Sequence, residues 1–232
     1  MTVGSAVRTG VRGFGELLIT AGLVLLLFAA YQLVWTNVEA ERAQGKVADA
    51  LRESWERPPA TPSSGSEAQP EPEPYRTGQG MAFLHIPRLG EGWTVPVVEG
   101  VGQGELERGV GHYPDTVRAG ERGNFAVAGH RATHGEPFAD LDRVRRGDRV
   151  VAETRDRWYT YVVDRTLIVR PDDTWVLDPV PGERGARPDE PLITLTTCHP
   201  RWSSTERLIV FGHLEEQRAR TEGPPPVLAK GA

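Results

Sequence analysis

The chain has 232 residues and a formal net charge of −5, a balance unlike the basic domains that bind nucleic acid. Its hydrophobic fraction of 38% is too high for disorder throughout and too low for a multi-span membrane protein. A single cysteine, Cys198, excludes an internal disulfide framework and a cysteine-rich zinc scaffold.

Residues 1–16 are small and polar, with Arg8, Arg12 and one acid, Glu16. Residues 17–35, LLITAGLVLLLFAAYQLVW, carry no charge. As a helix they extend about 28 Å, close to the roughly 30 Å hydrocarbon core of a bilayer. Tyr31 and Trp35 stand at the end of the run, where an interfacial aromatic belt belongs. The run is longer than the apolar part of a cleaved signal peptide, and the TNVEAERAQ that follows offers no cleavage site. It also lacks the amphipathic face that a buried core helix of this length would show. The reading is therefore a single uncleaved membrane span. Arg8 and Arg12 precede it, and Glu39, Glu41 and Arg42 follow, which puts the N-terminus in the cytoplasm and the rest of the chain outside the cell.

Residues 37–56 have helical composition and predict a short membrane-proximal helix within a connecting region, 36–78. Its second part, 57–78, holds six prolines among Ser, Gly and Glu, too few apolar groups for a core, and reads as a semi-rigid polyproline spacer. From Met81 the pattern changes to short apolar runs rich in Val, Ile, Thr and Tyr, punctuated by Gly, Pro, Asp and Asn. The runs are 82–87, 95–99, 124–130, 149–153, 157–169, 192–198 and 207–214, the signature of an all-β sandwich or barrel. Residues 137–148 predict one short helix or turn. The folded domain is placed at 79–217, enough for one core, with a polar, Pro-rich flexible tail at 218–232.

Cys198 ends the run LITLTTC and is followed by His199 and Pro200, which stops regular structure. Outside the cell a lone thiol risks oxidation unless it is used. Position alone leaves two readings, a displayed nucleophile and an inert buried thiol. A nucleophilic cysteine needs a base or a positive neighbour. His130 also ends an apolar run, NFAVAGH, and so would meet Cys198 at one rim of a barrel; His134 and His199 are substitutes in principle, while His85 and His213 read as surface or hydrogen-bonded side chains. An acyl-transfer intermediate further needs an oxyanion donor, for which Arg207, nine residues after the cysteine, is placed if the two strands are neighbours. With 25 arginines in the chain, an ordinary surface role for Arg207 is the competing reading. His130 and His134 have an HxxxH spacing, but Arg131 replaces the glutamate of a zincin helix, and a zinc site of His130, His134 and Cys198 is a minor alternative.

Three segments together, FAVAGHRATHGEPFADLDRVRRGD, TLTTCHP and ERLIVFGHL, resemble the His, TLxTC and Arg motifs of the sortases, in the family's order and across residues 80–215. The resemblance implies a closed eight-stranded β-barrel with short helices, behind one transmembrane helix. It implies Cys198 as nucleophile, His130 as general acid/base and Arg207 as oxyanion and substrate-positioning residue, with Thr197, Thr196 and Tyr113 contacting substrate. The implied reaction cleaves the Thr–Gly bond of a C-terminal sorting signal on a secreted protein through a thioacyl enzyme. A peptidoglycan-precursor amine of the lipid II type, or a pilin lysine, then resolves it. TLTTCHP, GVGHYP at 109–114 and the Pro-rich spacer look like class E, which reads Leu-Ala-x-Thr-Gly signals. A pilus-polymerising enzyme and a non-catalytic peptide-binding module are the alternatives. No cofactor is expected, and calcium is supported only by the scattered acids Glu105, Glu107, Asp115 and Glu136.

Overall fold

The computed structural model describes residues 3–57 and 74–229; most of the expected polyproline spacer, 58–73, lies outside the described residues. The alternating runs form strands β1 (Gly80–His85), β2 (Thr94–Glu99), β4 (Gly123–Ala128), β5 (Arg149–Glu153), β6 (Arg157–Val169), β7 (Pro191–His199) and β8 (Glu206–Ala219). One further strand, β3 (Val110–His112), lies within the GVGHYP segment and is too short to show as an apolar run. The eight close into a barrel in the order β1-β2-β3-β4-β7-β8-β6-β5. The β2–β3 and β4–β7 pairs are parallel, and the remaining pairs are antiparallel.

Strand parity sets the core. Phe125 and Val127 of β4, Ile193 and Leu195 of β7, and Leu208 and Val210 of β8 belong to the main buried cluster that fills the barrel. The alternate residues of β7 and β8 face outward. There Ile209 and Phe211 form a second cluster with Val176 of a 3-10 turn, Thr174–Leu177. Residues 137–148 contain a single 3-10 turn at Leu141–Arg143. Residues 218–229, expected to be tail, instead complete β8 through Ala219 and add two 3-10 turns. The Arg220 guanidinium, 3.1 Å from the buried Glu153 carboxylate, ties this segment to the barrel.

The N-terminal segment is one continuous helix, α1 (Val3–Glu56), where the sequence reading had a span and a separate short helix. Its first part is long and apolar enough to cross a membrane and packs against nothing in the described structure. Its last five turns dock on the barrel. Ala40, Val47 and Leu51 are buried, and Val47 and Leu51 cover Gly80 at the start of β1. Trp55 meets Phe83 edge-on at 5.4 Å, and the Arg52 guanidinium lies 4.3 Å from the centre of the same ring. Arg52 also reaches Glu153, which accepts from or pairs with His85 as well.

Candidate active site

The three motif residues come together through strand register. In the antiparallel β7–β8 ladder, Cys198 stands directly opposite Arg207, a pairing that puts Cα atoms about 5 Å apart. In the parallel β4–β7 ladder, Ala128 pairs with Thr196. The Gly129 N–H then donates to the Thr196 carbonyl at 3.1 Å, and the Thr197 hydroxyl donates to the Gly129 carbonyl at 2.7 Å. His130 and Cys198 each lie two residues past the last rung, at the same end of neighbouring strands. Both have the outward parity, as does Thr196, while Thr197 has the inward parity of Ile193 and Leu195 and is buried beneath the histidine loop. The Tyr113 hydroxyl lies 3.1 Å from the Thr196 hydroxyl, so the two form one wall beside the thiol.

The thiol of Cys198 is free and half-buried. Nε2 of His130 is buried with no hydrogen-bond partner, an orphaned polar atom of the kind that a folded chain keeps only for a reason. Burial holds the His130 imidazolium below the ordinary histidine range; His134, whose ring centre is 5.2 Å away, pushes in the same direction, and Glu107 opposes both. His134 itself is held by the Thr133 hydroxyl at Nδ1 and faces Glu107 at 3.6 Å. Arg207 donates through Nη1 to the carbonyls of Ser204 and Glu206, both at 2.9 Å, which fixes its stem beside Cys198 and uses two of its five donors.

The remaining histidines are otherwise engaged. Nδ1 of His199 lies 2.6 Å from Nη1 of Arg131, and because a guanidinium only donates, that nitrogen accepts and any proton sits on Nε2. His112 is buried, with Nδ1 on Glu99 and Nε2 on the Val117 carbonyl. His213 pairs with Asp164, and His85 with Glu153. Of the acids named as calcium ligands, Glu136 is taken up by Asn37 and Arg201, and Glu107 faces His134. Among the described residues no group of three or more His, Cys, Asp or Glu is placed to hold a metal, the trio of His130, His134 and Cys198 included.

The sequence reading missed the frame around these residues. Arg131 is buried and joins the end of β7, through His199, to the segment between β4 and β5, through Asp142. The loop after His130 runs through four consecutive left-handed residues, Thr133, His134, Gly135 and Glu136, with φ of 61°, 52°, 81° and 43°. For three non-glycine residues this is a costly conformation that the surroundings must enforce. Asn37 of α1 enforces it: its Oδ1 accepts from the Gly135 N–H at 3.1 Å, and its Nδ2 donates to Glu136 at 3.1 Å. Arg201, from the β7–β8 turn, donates to the other Glu136 oxygen at 2.6 Å. Burial raises the Glu136 carboxyl, but these two hydrogen bonds and one from the Thr133 backbone outweigh it and hold the group below its ordinary range. Nothing local in the sequence marks Asn37 or Arg201, because their partner lies 99 and 65 residues away.

At one end of the closed barrel the strand register groups a free cysteine, a histidine with an unpartnered ring nitrogen and an arginine fork, the residue types that a cysteine-dependent acyl transfer uses. The Sortase domain family model matches residues 84–215. The chain is 40% identical to sortase SrtE1 of Streptomyces coelicolor over 94% of its own length, and it spans 60% of the length of that relative. It is 41% identical to sortase SrtE2 of the same organism, over 86% of this chain and 80% of that one. The structure of sortase E1 from Streptomyces coelicolor, solved with a tripeptide in its active site, superposes with a TM-score of 0.61 at 40% identity, over 67% of this chain and 99% of that one. The chain belongs to the sortase family, the cysteine transpeptidases.

Proposed function

We propose that this chain is a membrane-anchored transpeptidase that acts on C-terminal sorting signals of secreted proteins, with Cys198, His130 and Arg207 as its catalytic residues. The observation that carries the reading is the double register: Cys198 opposite Arg207 across one ladder, and level with His130 across the other. The Cys198 thiol passes its proton to His130 as the sulfur attacks the threonyl carbonyl carbon of the signal, and the resulting oxyanion lies against the Arg207 guanidinium. The intermediate collapses as the C–N bond breaks, His130 gives its proton to the departing glycyl amine, and a thioacyl enzyme remains. An incoming amine attacks the thioester, passes its proton to His130 and releases the Cys198 sulfur. The acceptor is an amine of a peptidoglycan precursor. α1 supplies the anchor, with its N-terminus in the cytoplasm and the barrel outside the cell.

The signal is Leu-Ala-x-Thr-Gly, read in part by the wall of Tyr113 and Thr196. The full chain in detergent, incubated with matched Ala- and Pro-containing signal peptides and an amine, is expected to give a Thr–amine adduct by mass spectrometry, with the Ala peptide favoured. Cys198→Ala abolishes the adduct, and Tyr113→Ala narrows the Ala/Pro preference. Absence of any thioacyl enzyme on either peptide would overturn the proposal.

A further inference from the structure

We infer that α1 is a rigid strut that holds the catalytic end of the barrel against the lipid headgroups, so that this end is a bilayer-docking surface. The inference rests on the membrane-anchored reading of α1. The helix runs without a break from Val3 to Glu56 and contains no proline. Only Thr36 separates Trp35, the end of the apolar run, from Asn37, which is bonded to the barrel.

The docking contacts are ordered along the helix. Asn37 holds Gly135 and Glu136, and Ala40 and Gln44 pack on Gly135. Val47 and Leu51 cover Gly80, and Arg52 and Trp55 reach Phe83 and Glu153. From Asn37 to Trp55 the helix rises about 27 Å. The loop that follows His130 is therefore the part of the barrel nearest the span, and the Phe83–Glu153 end is the farthest. Helical side chains lean toward the N-terminus, which draws the loop held by Asn37 further toward the membrane. Contacts at four levels along the helix oppose a swing of the barrel about it.

A second observation, independent of α1, marks the same end. Trp202, on the β7–β8 turn, is 70% exposed, with the Arg201 guanidinium 5.6 Å from its ring. Arg201 bonds the same Glu136 that Asn37 bonds. An exposed tryptophan is favoured at headgroup level, and an arginine beside it can lay its apolar stem along the same interface with its charge in water. The partner is the phospholipid headgroup layer, and substrates that stay attached to it reach Cys198 without leaving the surface.

The test uses the full chain in phosphatidylcholine–phosphatidylglycerol nanodiscs. Cys198 is the sole cysteine, so a bimane probe placed on it reports the site itself. Headgroup-labelled nitroxide lipids are expected to quench it. Seven helix-forming residues inserted between Trp35 and Thr36 lift the barrel about 10 Å while keeping the helix phase within about 20°. In that variant quenching is lost and turnover of an amine acceptor tethered to a lipid of the same nanodisc falls roughly tenfold or more, as tethered reactants lose effective concentration when they cannot span the gap. Turnover of a soluble peptide and soluble amine stays unchanged, which shows the barrel intact. A parent protein that is not quenched, or an inserted variant quenched equally, would overturn the inference. Failure of the parent on soluble peptides would instead overturn the proposed reaction, since the quenching measurement does not depend on turnover.

Discussion

The proposed acid–base role asks His130 to take up a proton that its surroundings disfavour. Burial and the neighbouring His134 both hold its imidazolium below 6.5, and only Glu107 works the other way. His134→Gln removes one of the two depressing effects and leaves burial in place. In a Cys198→Ala background, the His130 ring protons are expected to titrate in NMR with a midpoint below 6.5, and His134→Gln moves that midpoint upward. The sign for the fold follows from the same direction. A depressed histidine contributes its full stability above 6.5, and stability falls as the pH drops from there through the lower folded midpoint. Gly129 bears on the same residue by sterics. A Cβ there would lie 2.6 Å from the buried Phe138 ring, which stacks on Trp93 and has nowhere to move. Gly129→Ala is expected to cost about 1–3 kcal/mol by thermal unfolding and to lower kcat by displacing His130. Cys198, His130 and Arg207 are candidates in the sequence because each ends or begins an apolar run within a motif of the family, and the strand register brings the three positions to one end of the barrel. Arg131, Asn37 and Glu136 carry no such mark, because each acquires its role from a partner far along the chain.

At the scale of elements, seven strands were legible as runs of β-branched and aromatic residues. The eighth, β3, is three residues long, and its place is set by pairing with β2 and β4. The docking of α1 left a fainter trace: Ala40, Val47 and Leu51 stand seven and four residues apart, a single apolar stripe on an otherwise charged helix. The stripe alone does not say what it covers. Glu153 does much of the joining, since its buried carboxylate is shared by Arg52 of α1, His85 of β1 and Arg220 after β8. Glu153→Gln keeps the shape and removes the charge. It is expected to cost about 1.5–3 kcal/mol, the range for hydrogen bonds to charged groups, and differential scanning calorimetry would read it.

At the scale of the molecule, α1 and the barrel form one body. A soluble fragment that begins at residue 36 keeps the docked turns, and one that begins at 74 loses them and bares Phe83 and Gly80. The shorter fragment is expected to unfold at a lower temperature, by about 2–4 °C for each kcal/mol of docking energy lost. It is also expected to have a lower kcat, because Asn37 no longer holds the loop beside His130. Equal activity of the two fragments would show that the loop keeps its left-handed conformation without the helix.

The parallel pairing of β4 with β7 has a consequence for biogenesis. The rung that aligns His130 with Cys198 joins residues 68 apart in sequence, between strands that no hairpin can bring together. Such non-local pairings form slowly, after the loop-closure entropy of the intervening chain has been met. A newly made chain therefore passes through its early compact stages with the thiol and the imidazole still apart. Transacylation chemistry switches on only when the barrel closes, so a nascent or misfolded copy has no assembled site with which to cleave its neighbours.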